Sequence, residues 1–171
     1  MLSEDASSRA SVDANIDQGS PVMNPILARI AAYLSKRRDG TAVDPVHIAP
    51  DLLPFLFILA IERDRPDAPP RLRIRLTGTT LDNAFGRSVK GHYMEEFLHG
   101  SHSAAVLDGF RSCVESGTGI WMRQVVKIAS RAPRFVEGVA IHVEPNRIYG
   151  GLQFGELVDH NTSSSFESRR I

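Results

Sequence analysis

The stretch Arg71-Leu-Arg-Ile-Arg-Leu-Thr-Gly-Thr-Thr-Leu-Asp-Asn-Ala-Phe-Gly86 passes from one periodicity to another within sixteen residues. Leu72, Ile74 and Leu76 alternate with three arginines, the period-two pattern of a strand with one covered face. Thr79 or Thr80 can then cap a short helix carrying Leu81, Ala84 and Phe85, and Gly86 sits where a glycine commonly closes a helix. A strand running straight into a short helix rules out an all-α or all-β chain.

Upstream, Asp64 to Pro70 carries three prolines and reads as a hairpin loop. Before it, Phe55 to Ile61 is apolar almost without interruption, which predicts a strand covered on both faces. Asp44-Pro45 opens a short connector. Asn24-Pro25 is a good helix start, and Ile26, Leu27, Ile30, Tyr33 and Leu34 recur at helical spacing. Lys36, Arg37 and Arg38 complement the dipole at the other end, with Gly40 just beyond, so an amphipathic helix is expected over 24–40. Residues 1–23 lack periodic apolar residues and are expected to be a disordered tail.

Downstream, Gly91 marks a loop and Tyr93 to Leu98 an apolar turn. Ser101 is placed to cap a longer helix with Leu107, Phe110 and Val114 on one face, ending near Gly117. Three strands are expected over 120–129, 134–143 and 148–157, with turns at Ala132-Pro133 and Pro145-Asn146. Residues 158–171, with three consecutive serines, read as a flexible C-terminal tail. The expected fold is therefore α+β: a five-stranded antiparallel sheet over 42–157 with helices on one face. Alternation puts Ile120, Met122, Gln124, Val126 and Ile128 toward those helices, together with Phe135, Glu137, Val139 and Ile141. Trp121, Val125, Val136 and Ala140 are left for the other face, where the N-terminal helix is the obvious cover.

This order of elements, with Asp44-Pro45, Leu53-Pro54, Arg75-Leu-Thr-Gly78-Thr79, Phe85-Gly86-Arg87 and Gly91, resembles the single-domain PAS proteins found mainly in alphaproteobacteria. The resemblance spans about residues 42–157. It implies a PAS-like sheet and a non-catalytic regulatory module, sensing or signalling through protein–protein contact with or without a small ligand. Gly78 and Gly86 then serve backbone geometry, and Arg75 is placed to bond carbonyls at the strand-to-helix turn.

Composition narrows the chemistry. Lys plus Arg and Asp plus Glu are 20 each, so no positive footprint for nucleic acid is present. The polar start and the proline-broken run from Leu52 to Ile61 carry neither a secretory signal nor a membrane span, and a cytoplasmic protein is expected. One cysteine, Cys113, excludes an internal disulfide and multi-cysteine metal sites; it reads as a small apolar core residue. No haem or flavin is expected: Phe110-Arg-Ser-Cys113 is not the flavin-binding motif of such sensors, and His92, His99 and His102 make no convincing axial ligand. Glu95-Glu96 are adjacent on a helical turn and point apart, unlike a catalytic pair.

The candidate ligand-facing residues are Phe85, Phe110, Gln124 and Glu137, the last two being polar positions on otherwise apolar strand faces. The apolar stripe of the N-terminal helix, Leu27, Ile30 and Leu34, with Trp121 on the sheet, is expected to form a homodimer interface. Other signalling proteins are the remaining expected partners, because no sequence is left over for an output domain. A dedicated small-molecule receptor or carrier is the alternative, and an isomerase-like α+β enzyme the third reading.

Overall fold

Asn24 starts the first helix as its composition dictates: its side chain accepts a hydrogen bond from Ile26 N, and Pro25 occupies the first helical position. In the computed structural model, which describes residues 23–38, 41–98, 102–126, 133–158 and 166–171, this helix α1 runs Pro25–Ser35. The expected tail up to residue 22, Gly40, His99, Ser101, Ile128 and the serine run at 163–165 lie outside the described residues. The other elements are β1 (Leu56–Glu62), β2 (Arg71–Thr77), α2 (Thr79–Phe85), α3 (Ser103–Ser116), β3 (Gly119–Val126), β4 (Arg134–Glu144), β5 (Arg147–Leu157) and β6 (Phe166–Arg170).

Among the described residues the architecture is α+β, with three α-helices, three short 3-10 turns and one antiparallel sheet in the order β2-β1-β5-β4-β3-β6. The sheet has six strands, not five. The expected C-terminal tail supplies the extra one, since Phe166–Arg170 pairs with β3 from Gln124 to Ile120. Beyond it, Ile171 and Gly119 exchange both backbone hydrogen bonds, at 3.0 and 3.1 Å. Five short, largely polar residues carry no strand signal of their own. The open edge of β3 is what organises them, by satisfying their backbone groups.

Two apolar layers cover the sheet. On one face α2 and α3 bury Leu81, Val106, Phe110 and Cys113 against Phe57, Leu59, Leu72, Ile74, Ile120, Met122, Ala140 and Ile148. On the other, α1 buries Leu27, Ile30 and Leu34 against Trp121, Val139, Ile141, Val143 and Tyr149. Burial of three such aliphatic side chains is worth roughly 1.5–3 kcal/mol each. Close approach of α1 depends on Gly151, where an added Cβ would meet Ile30 Cδ1 at 2.6 Å. The glycine-rich strand is thus explained by close packing: its neighbour Gly150 lies against the Phe57 ring and the Val139 carbonyl on the opposite face.

Three expectations change. Leu27, Ile30, Leu34 and Trp121, expected to meet a second copy, are buried within a single chain at 0, 1, 1 and 4% exposure. That stripe is a lid in cis and offers no dimer surface. The faces of β4 are also exchanged: Val139 pairs with Trp121 and Ala140 with Ile120, so Glu137, Val139 and Ile141 face α1 while Val136 and Ala140 face the helix layer. Every residue from Gly138 to Ile141 is buried, so hydrophobicity alone could not choose the face. Finally, Arg75 is exposed and does not bond the strand-to-helix turn; Gly78 N donates to Leu56 O at 2.7 Å and Thr77 Oγ1 to Asp82 Oδ1 at 2.7 Å. Gly78 is required there because a Cβ would collide with the Pro54 and Leu53 carbonyls, and Gly86 closes α2 at φ 70°.

Candidate functional site

A β-bulge creates the most conspicuous surface feature. Opposite Ile58 stands Leu76, but opposite Leu59 stands Ile74, so Arg75 is skipped in the ladder. Skipping one residue moves the following side chain to the other face of the sheet. Leu76 therefore leaves the company of Leu72 and Ile74 and emerges beside Ile58 on the α1 side, 39% exposed. The simple alternation of the sequence put all three on one face; the bulge corrects it.

Leu76 there lines an apolar groove of about 380 Å3. Its walls are the end of α1 at Leu34, the connector from Val43 to Pro54, and the turn Thr77-Gly78-Thr79; its floor is Leu56, Ile58 and Tyr149. The connector is stiff for identifiable reasons. Asp44 accepts a hydrogen bond from Val46 N at 3.0 Å, and Pro45, Pro50 and Pro54 fix the backbone at three points. Arg29 of α1 grips Asp51 with both terminal guanidinium nitrogens, at 2.5 and 3.2 Å. Leu53, 39% exposed, stands on the rim, and Val46, 86% exposed, lies beside Pro45. A fourth exposed large aliphatic residue, Leu157, is at the end of β5.

The polar groups at the groove are hydroxyls. Tyr149 donates to Glu144 Oε1 at 2.7 Å and accepts from Arg147 Nη1 at 3.4 Å. Burial, reinforced by the Glu144 carboxylate, raises its pKa above the ordinary phenol value. Among the described residues no carboxylate, histidine or cysteine lines the groove. The arrangement can hold an apolar group; it does not assemble a nucleophile with a base.

The four residues read from sequence as ligand-facing are not brought to one place. Phe110 is 3% exposed in the α3 core, edge-on to Phe57 with ring centres 6.2 Å apart. Phe85, half-buried, packs edge-on against Phe97 at 5.3 Å. Gln124 is half-buried on the α3 side of β3, between Val136 and Phe166. Glu137 is on the opposite face and is spoken for: its Oε1 accepts from Trp121 Nε1 and from Asn24 N, each at 2.8 Å. Its polarity is explained by these two donors, one on β3 and one at the start of α1, which give a half-buried carboxylate the partners it requires.

Cys113 takes the small apolar role its sequence suggests. It is 2% exposed, its thiol lies 3.7 Å from the Ala140 carbonyl, and burial pushes its pKa up to about 12. His102 precedes α3, half-buried, and stacks on Phe166 with ring centres 5.7 Å apart. Glu95 and Glu96 diverge as expected: Glu95 turns to Arg71 at 3.9 Å, while Glu96 accepts from Tyr93 N at 3.0 Å and meets His92 Nδ1 at 2.7 Å. Those two contacts, the backbone one foremost, hold the Glu96 carboxyl below its usual range.

Sequence reasoning missed the groove because its lining is spread over four separate stretches of the chain. Of the quoted motif pieces, Pro45, Leu53-Pro54 and Leu76 to Thr79 border it, but nothing in them announces a groove, and the bulge that exposes Leu76 has no local signature. Among the described residues no helix is long and apolar enough to cross a membrane. Compared with known proteins, the chain matches no family model, no curated protein and no solved structure.

Proposed function

We propose that this chain is a non-catalytic regulatory module of the PAS type, working by contact with signalling proteins through the groove beneath the end of α1. The observation that carries this reading is that Leu53 and Leu76, each 39% exposed, line one stiff-walled apolar groove, with the exposed Val46 next in sequence to its wall residue Pro45. Exposed apolar residues scattered singly are ordinary, whereas a contiguous set marks an interaction site. An aliphatic side chain of a partner fits the groove's chemistry, with the hydroxyls of Thr77, Thr79 and Tyr149 at its border. A small apolar ligand is the second reading, favoured by a volume of about 380 Å3, within the range of small-molecule sites.

Photocrosslinking tests the first reading. A benzophenone amino acid at Val46 or Leu53 should capture a discrete protein in cells of the native source, and the same group at Leu157 should not. Loss of both adducts in a Leu76→Glu background would tie them to the groove. Equal labelling at all three positions, or none at Val46 and Leu53, overturns it. Recovery of a small molecule in native mass spectra of the parent but not of Leu76→Glu would favour the second reading.

A further inference from the structure

The two edges of the sheet are finished differently. Across the middle of β2, the 91–93 turn covers the outer edge: Gly91 N donates to Ile74 O at 2.7 Å, and Ile74 N to His92 O at 2.8 Å. Among the described residues, no segment bonds to the outer edge of β6. Which of its backbone groups point outward follows from the ladder. Ile171 exchanges both hydrogen bonds with Gly119, so Arg169 and Glu167, two and four residues back, also direct theirs at β3. Phe166, Ser168 and Arg170 direct N–H and C=O away from the sheet.

We propose that this edge pairs with the β6 of a second copy of the chain, antiparallel and centred on Ser168. Hydrogen-bond parity permits only registers in which Phe166, Ser168 and Arg170 meet one another or their equivalents. Charge then selects among them. Centring on Ser168 sets Glu167 opposite the second copy's Arg169, twice by symmetry, at the non-hydrogen-bonded positions where side chains come closest. Sliding by one residue toward either end sets Glu167 against Glu167, or Arg169 against Arg169. The same central register places Phe166 beside Arg170 on the other face, a ring-and-guanidinium pair.

Glu167 and Arg169 already meet within the strand at 3.0 Å, on the α1 side, so both charges are held on the face where the partner would present theirs. The pairing would form about six backbone hydrogen bonds and extend the sheet across a two-fold axis. An interface of this size belongs to the weak, transient class, for which a dissociation constant no tighter than micromolar is expected. The surface is distinct from the groove and from the buried α1 stripe.

The test exploits the direction of the Ser168 N–H. Ser168→Pro removes an outward donor and leaves the bonds to β3 intact, so β6 stays docked while the dimer is lost. Sedimentation velocity from about 5 to 500 µM, a span bracketing the expected affinity, should show a concentration-dependent dimer for the parent and a monomer for Ser168→Pro. Mild oxidation of Ser168→Cys should yield a covalent dimer, since facing residues of such a pair lie at disulfide distance. Glu167→Cys should crosslink at least tenfold more slowly, and buried Cys113 provides the unreactive background. A parent that remains monomeric to the highest concentration overturns the proposal. So does a dimer that survives Ser168→Pro, which would mean exchange of β6 between copies, or preferential crosslinking at position 167, which would mean another register.

Discussion

On the α2–α3 face of the sheet the apolar layer is continuous, from Leu72 and Ile74 on β2 through Phe57, Ile148 and Ala140 to Ile120 and Met122 on β3. The α1 face is divided. Over β4, β5 and Trp121 it is sealed, with Leu27, Val139 and Ile141 at 0% exposure. Over the ends of β1 and β2 it opens into the groove, where Leu53 and Leu76 each keep 39% of their surface. One helix of eleven residues is too short to roof the whole sheet. A face covered by a single element therefore has both a sealed and an open part, and the open part is where a partner can be met.

This contrast rests on α1 being a lid held by apolar contact, and the most drastic test removes that contact. Leu27→Ala should cost about 2–5 kcal/mol, the range for truncating a fully buried leucine that leaves a cavity. Leu27→Asp with Ile30→Asp should abolish cooperative unfolding altogether, because two unpaired carboxylates would be forced into the core. Urea titration followed by circular dichroism checks both. A double variant that folds normally would break the comparison and return α1 to the status of a free appendage.

A smaller effect is expected from the polar clasp at the other end of the lid. Glu137 satisfies the indole N–H of Trp121 and the backbone N–H of Asn24 at once, joining sheet, tryptophan and helix start. Glu137→Leu strands both donors and should cost about 1–3 kcal/mol. Glu137→Gln keeps an acceptor oxygen in place and should cost less than half as much. Equal losses for the two variants would show that charge, and not the acceptor, matters there. No loss in either would leave the apolar stripe as the lid's sole attachment.

Most of the fold was legible in the residues, and what escaped did so for physical reasons. Asn24-Pro25, Gly86 and the alternation at Leu72 and Ile74 each impose local geometry, and each appears where its chemistry predicts. The face of β4 was not legible, since both sides of its central residues are buried and only the pairing of Val139 with Trp121 decides. Nor was β6, whose polar residues become a strand only because an edge awaits them. The ligand-facing set failed as a group because Glu137 was taken to face the helices, and its polarity answers to Trp121 instead. The groove depends on a bulge, which shifts register without a residue type to announce it.

The smallest effect should come from the contact that looks strongest on paper. Arg29 and Asp51 form a two-pronged pair at 2.5 and 3.2 Å, linking α1 to the connector that walls the groove. Both side chains remain more than half exposed, at 53 and 61%. Water and salt screen such a pair, and ordering two flexible side chains offsets much of the attraction. Arg29→Ala should therefore lower the melting temperature by less than about two degrees at neutral pH. The sign with pH is fixed: the hydrogen bond from Arg29 holds the Asp51 pKa below its ordinary value, so its contribution is present above the usual carboxylate range. It fades as pH falls through the lowered pKa. The difference between parent and variant should shrink in acid and in high salt, as differential scanning fluorimetry can follow. A shift near ten degrees would mean that the groove wall and the lid are locked together by charge. The sealed and open parts of this face would then be one rigid unit, and partner binding at the groove would have to work against it.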